Sequence, residues 1–157
     1  MNFSPRREDP LFEKLNPVVQ GLGMSIVELS VSRQRGKTQV RLTVTKATKN
    51  GVVSVGDCSQ VHHAIVPRLE LAFPGEDLYI EVASPGIDRT IKDASEFQLY
   101  IGRGVRCYRT DISDWTAGII QEADDHHLVL RGEQGTVELS YDSIAKAKLD
   151  YSQEVED

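Results

Sequence analysis

The chain has 157 residues, of which 39% are hydrophobic and 27% charged; this is a globular composition, long enough for one mid-sized domain or two small ones, and it excludes a disordered or fibrous protein. No apolar run approaches the ~20 residues needed to span a bilayer, and the opening Met-Asn-Phe-Ser-Pro-Arg-Arg lacks the apolar core of a secretory leader. The formal net charge of -6 is uneven: residues 1–90 hold 11 Lys/Arg against 10 Asp/Glu, and residues 91–157 hold 7 against 14.

In chain order, the first organised segment is a helix from about Asp9 to Leu22. Asp9 can cap it and Pro10 suits the first helical position. Leu11, Leu15, Val18, Val19 and Leu22 recur at helical spacing. Pro17 removes an N–H and crowds the preceding turn, so a distortion is expected there. Two half-buried strands follow, one around Ile26–Ser32 and one around Gln39–Thr45, each with an apolar and a polar face. The turn from Arg33 to Lys37 contains Gly36.

Lys49-Asn50-Gly51 reads as a further turn. A second helix starts after Ser54, with Asp57 near the positive end of its dipole and an apolar stripe of Cys58, Val61, Ile65 and Leu69. Leu78, Ile80 and Val82 alternate with Tyr79, Glu81 and Ala83 as a third strand. Burying the stripes of both helices economically puts them on one face of the sheet.

Ser84-Pro85-Gly86 ends that strand sharply. Asp93-Ala94-Ser95-Glu96 is a capping-box start for a short helix with Phe97 facing inward. Beyond it the pattern changes to five short strands: Val105–Arg109, Thr116–Glu122, His127–Arg131, Thr136–Tyr141 and Ala145–Leu149. Five strands in so few residues suggest a small barrel, which removes exposed sheet edges. The expected division is an α/β domain over residues 1–86 and a β-barrel over 87–157, ending in an acidic, frayed tail.

The candidate partner-binding residues fall in two places. At Ser84, Pro85, Gly86, Asp88 and Arg89, proline fixes φ and glycine permits a turn closed to other residues. This is either a rigid elbow presenting Asp88 and Arg89 to a partner, or a structural corner that satisfies them locally. Arg33, Arg35, Lys37 and Arg41 form a basic hairpin, which is either an RNA backbone contact or a solvated tip. Trp115 is either a partner anchor or a half-buried rim residue.

Catalysis and metal binding find less support. Cys58 and His62 share a helix face at four-residue spacing, yet with His63 they fall short of the four ligands of a structural zinc site. Ser59 lacks a Gly-x-Ser-x-Gly elbow, and no phosphate or dinucleotide loop occurs. The expectation is therefore a protein that is not an enzyme and needs no cofactor or metal. Cys58 and Cys107 form no disulfide framework, which points to a reducing cytoplasmic setting. The acidic second half argues against broad nucleic-acid wrapping and suits a basic partner.

From Leu15 to about Leu149, these residues resemble the RimP family. Leu15-Asn16-Pro17-Val18-Val19, Gly21-Leu22-Gly23 and Glu28-Leu29 are similar to its opening helix and strand. Val55-Gly56-Asp57-Cys58-Ser59-Gln60-Val61 resembles its second-helix signature, and Glu81-Val82-Ala83-Ser84-Pro85-Gly86-Ile87-Asp88-Arg89 its most recognisable stretch. Phe97, Gly102, Val105 and Ile144–Leu149 fit the second domain. The chain departs from the family at Thr90, at His62-His63 and at Thr43-Val44-Thr45-Lys46.

The resemblance implies an α+β protein: an N-terminal two-layer domain in the order helix, strand, strand, helix, strand, then a C-terminal Sm-like or SH3-like β-barrel. It also implies an assembly factor for the small (30S) ribosomal subunit. The implied partners are the subunit precursor and a small-subunit ribosomal protein, expected to be basic; the RNA reading of the hairpin would add ribosomal RNA, and the short apolar runs leave no membrane partner expected. The alternative is a general RNA-binding module built on the Sm-like barrel.

Overall fold

The computed structural model describes residues 1–4, 9–46 and 52–154. The Lys49-Asn50-Gly51 turn and the last three residues of the tail lie outside the described residues. The chain divides into two compact units, one of Arg6–Pro85 and one of Gly86–Asp157 together with Met1–Pro5.

In the Arg6–Pro85 unit, α1 spans Pro10–Gly21, β1 Met24–Gln34, β2 Lys37–Lys46, α2 Val55–Ala72 and β3 Asp77–Ala83. The Asp9 side chain accepts from the Leu11 N–H at 2.9 Å, with Pro10 in the first turn. Pro17 lies inside α1 but on its exposed side, and the helix runs on through it. β1 and β2 pair antiparallel with Gln34 opposite Lys37. The two loop residues, Arg35 (φ 48°) and Gly36 (φ 78°), are both left-handed; this is the primed turn whose twist matches a two-residue hairpin.

β3 joins β2 in parallel, giving the sheet order β1-β2-β3. The intervening α2 supplies the long crossover that parallel pairing requires. Leu15 and Val19 of α1 and Val61, Ile65 and Leu69 of α2 share one core with Ile26, Val40, Leu42 and Val44. Both helices therefore cover the same sheet face. The other face carries the alternate residues, among them Ser32, Gln39, Arg41, Tyr79 and Glu81.

Ser54 and Asp57 complete a capping box on α2, with bonds of 3.0 and 2.8 Å. The Lys46 ammonium, 2.7 Å away, is the main cause that holds the Asp57 carboxyl at about 2, assisted by the backbone and side chain of Ser54. A carboxyl depressed in the folded state stabilises fully above its unfolded value, and that contribution is lost as pH falls through the folded value. Lys46→Ala should move the Asp57 midpoint up toward 3.8 in a carboxyl NMR titration. An unchanged midpoint would show that the lysine is not its main partner.

In the other unit, a 3-10 helix spans Ala94–Tyr100, and five strands follow: β4 Gly104–Arg109, β5 Asp114–Ala123, β6 His127–Gly132, β7 Gly135–Ser140 and β8 Ile144–Leu149. All pair antiparallel in the order β7-β6-β5-β4-β8. The closed Sm-like or SH3-like barrel expected from the sequence is not found: among the described residues no ladder joins β7 to β8. The short 3-10 turn Tyr141–Ser143 redirects the chain, and β8 pairs with β4. What is observed is a five-stranded antiparallel sheet whose inner face buries Val105, Cys107, Ile120, Leu128, Leu130, Leu139 and Ala147.

Met1 to Ser4 pack on this unit. The Met1 ammonium donates to the carbonyls of Tyr141 (2.7 Å) and Ile144 (2.9 Å). The Asn2 carbonyl accepts from the Ala94 N–H at 2.8 Å, and the Ser4 N–H donates to Asp93 Oδ1 at 3.0 Å. The described part of the tail, residues 150–154, is also more ordered than its composition suggests. Tyr151–Glu154 form a 3-10 turn, and Glu154 reaches back to Arg103 at 2.7 Å with both side chains largely buried.

Candidate partner-binding site

The basic hairpin builds a groove. Ser32, Gln34, Arg35, Lys37, Gln39 and Tyr79 line an open depression of about 630 Å³ at the end of the polar sheet face. The register explains the set: Ser32 pairs with Gln39, and Gln39 with Tyr79, so alternate residues of three strands point the same way.

Of the four hairpin cations, Arg33 bonds Glu76 at 3.2 Å and lies over the Phe73 ring at 4.6 Å. Arg41 pairs with Glu81 at 3.1 Å. Arg35 and Lys37 make no ion pair with another described residue, so their charge is available at the groove. Tyr79, 66% exposed, is the residue that sequence reasoning passed over. The available signal was an aromatic ring on the polar side of an alternating strand.

The elbow divides differently. Gly86 has φ 81°, a left-handed conformation that favours glycine. Ser84, Gly86 and Asp88 are exposed, and Pro85 is half-buried. Ile87 stands 71% exposed beside them. Arg89 does not face outward. Its guanidinium is buried, with Nε donating to Glu96 Oε1 at 2.7 Å, and Glu96 also accepts from the N–H groups of Lys92 (3.0 Å) and Asp93 (3.2 Å). The Arg89 carbonyl accepts from the Leu149 N–H at 2.9 Å. Arg89 thus serves the frame of its unit, and the exposed part of the elbow is Ser84, Gly86, Ile87 and Asp88. Within the Arg6–Pro85 unit, the hairpin lies at the Asp77 end of β3 and Ser84 follows its other end.

The remaining candidates stand apart. Burial raises the Cys58 thiol above its ordinary range and pushes Cys107 up to about 12, so neither is a ready thiolate. His62 and His63 lie edge to face, with centroids 6.4 Å apart. Among the described residues, no group of three or more His, Cys, Asp and Glu side chains is placed to hold a metal ion. No helix there is long and apolar enough to cross a membrane.

Residues 14–88 match the family model described as the RimP N-terminal domain. The matched span runs from within α1 through β3 and includes the whole basic hairpin and the exposed part of the elbow. A helix-strand-strand-helix-strand unit bearing that match identifies residues 14–88 as a RimP N-terminal domain, the domain of a family of ribosome maturation factors.

Proposed function

We propose that this chain is a cytoplasmic assembly factor for the small (30S) ribosomal subunit that works by binding and not by catalysis. Its partners are the immature subunit and one basic small-subunit ribosomal protein. The observation that carries the reading is the match to the RimP N-terminal domain over residues 14–88. The groove at Arg35, Lys37 and Tyr79 supports it by offering cations to a ribosomal RNA backbone. The net negative charge of residues 91–157 supports attraction of a basic protein. The strand order of the second unit, with its 3-10 turn ahead of the last strand, is in keeping with an Sm-like or SH3-like architecture.

The test is co-sedimentation. The chain should pellet with immature small subunits and not with complete ones, and association with mature seventy-S particles alone would overturn the reading. Arg35→Asn with Lys37→Gln, chosen because Asn tolerates the left-handed turn, should weaken that association by roughly tenfold, as for the loss of about two phosphate contacts. An unchanged pellet would exclude the hairpin from the docking surface.

A further inference from the structure

The acidic second half gathers cations on the outer face of β4 and β8, while Glu122 and Glu138 stand on the same sheet face beside Val129 of β6. Residues 91–157 hold seven Lys/Arg. Arg103 and Arg109 are taken up by Glu154 and Asp111, and Lys92 lies in the turn before the 3-10 helix. The other four, Arg106, Arg131, Lys146 and Lys148, all point to the outer face of the sheet, because their neighbours Val105, Cys107, Leu130, Ala147 and Leu149 point into the core. Register brings them together. Arg106 lies opposite Lys148 on β8 and Ala117 on β5, Tyr108 lies opposite both Lys146 and Trp115, and Arg131 pairs with Ile119. None of the four makes an ion pair with another described residue. Asp150 feels the Arg106 charge, but its oxygens accept from Ser152 and Gln153.

Aromatic rings lie among these cations. Trp115 is 45% exposed and meets Tyr108 edge to face, with centroids 5.4 Å apart. The Arg106 guanidinium sits 5.7 Å from the Trp115 ring centroid. A sheet surface that sets cations around a half-exposed indole has the parts of a single-stranded nucleic-acid platform: charge for the backbone and a ring for an unpaired base. An acidic peptide would match the cations but leave the indole unused.

We infer that the outer face of β8-β4-β5, with Arg106, Lys146 and Lys148 around Trp115, binds single-stranded RNA. The site belongs to the Gly86–Asp157 unit, and the hairpin groove to the other. RNA binding here does not depend on the assembly reading, which bears only on which RNA is met.

Trp115 is the only tryptophan in the chain, so its emission reports on the site directly. Titration of the full-length chain with a short, unstructured polyuridine RNA should quench that emission, in step with the anisotropy of labelled RNA. Lys146→Gln with Lys148→Gln should weaken binding about tenfold and reduce the slope of log affinity against log salt by about 1.4, two single-strand phosphate contacts. Trp115→Ala should weaken anisotropy-detected binding by roughly tenfold while leaving the circular dichroism spectrum unchanged. The inference falls if RNA leaves the emission unquenched, or if the lysine variant keeps full affinity. It also falls if polyglutamate quenches at the same concentration, which would mark the face as a site for acidic protein. RNA affinity lost while co-sedimentation persists sinks this inference alone; the reverse result sinks the assembly reading alone.

Discussion

Arg89→Ala is expected to destabilise the Gly86–Asp157 unit by about 3–5 kcal/mol, because it removes a charged hydrogen-bond partner from a buried carboxylate. Glu96 is only 2% exposed, and its side chain meets the Arg89 guanidinium at 2.7 Å. Removing the arginine leaves the carboxylate with the Lys92 and Asp93 N–H groups but without that charged partner. Urea unfolding followed by near-UV circular dichroism measures the loss. A double replacement, Arg89→Met with Glu96→Met, should recover part of it, since removing both charges also removes the desolvation penalty. A cost below about 1 kcal/mol for the single variant would mean that the pair is solvated in solution. Any loss of activity in Arg89 variants is then expected to track unfolding and not a lost partner contact.

Phe97→Ala should cost a similar amount, about 3–5 kcal/mol, by opening a cavity at the base of the same unit. Phe97 is 0% exposed, and its ring stacks on Tyr141 at 5.7 Å; Tyr141 in turn stacks on Phe3 at 6.3 Å. The Tyr141 hydroxyl donates to the Asp124 carbonyl at 2.7 Å, which fixes the middle ring. The loss should appear as a lower urea midpoint together with a weakened near-UV aromatic signal. Phe97→Leu keeps much of the volume and should cost under about 1.5 kcal/mol. Equal losses for Leu and Ala would show that ring stacking, and not cavity volume, dominates.

The element order was legible because each segment carries a local signal. The caps at Asp9, Ser54 and Asp93 form in the structure, and Phe97 faces inward as the pattern requires. Pairing across the sheet was less legible. Alternation tells which face a residue takes, but the parallel union of β2 with β3 depends on where α2 delivers the chain. Closure of the barrel is not readable from the sequence for a related reason: strand count and turn spacing do not decide whether the first and last strands of the ladder meet.

The candidate sites show the same limit. Arg89 was legible as a charged residue beside a proline–glycine turn, but its partner Glu96 lies seven residues on and was assigned only a capping role. Net charge is also blind to arrangement. A total of seven negative charges in excess over residues 91–157 says nothing about how cations segregate onto one face. Only the pairing of β4 with β8 and β5 brings Arg106, Lys146, Lys148 and Trp115 side by side.

The packing of Met1 to Ser4 has a consequence for the order of synthesis. These residues precede the α1–β3 unit in the sequence, yet the carbonyls that accept from Met1 belong to Tyr141 and Ile144, which follow it. The α1–β3 unit has its own core from Arg6–Pro85 and is complete as soon as that stretch has emerged. The contacts of Met1 must wait until Tyr141 and Ile144 have also been made. A fragment starting at Gly86 would lack these contacts from the outset, so an excised second half is a poorer mimic of its native state than an excised first half.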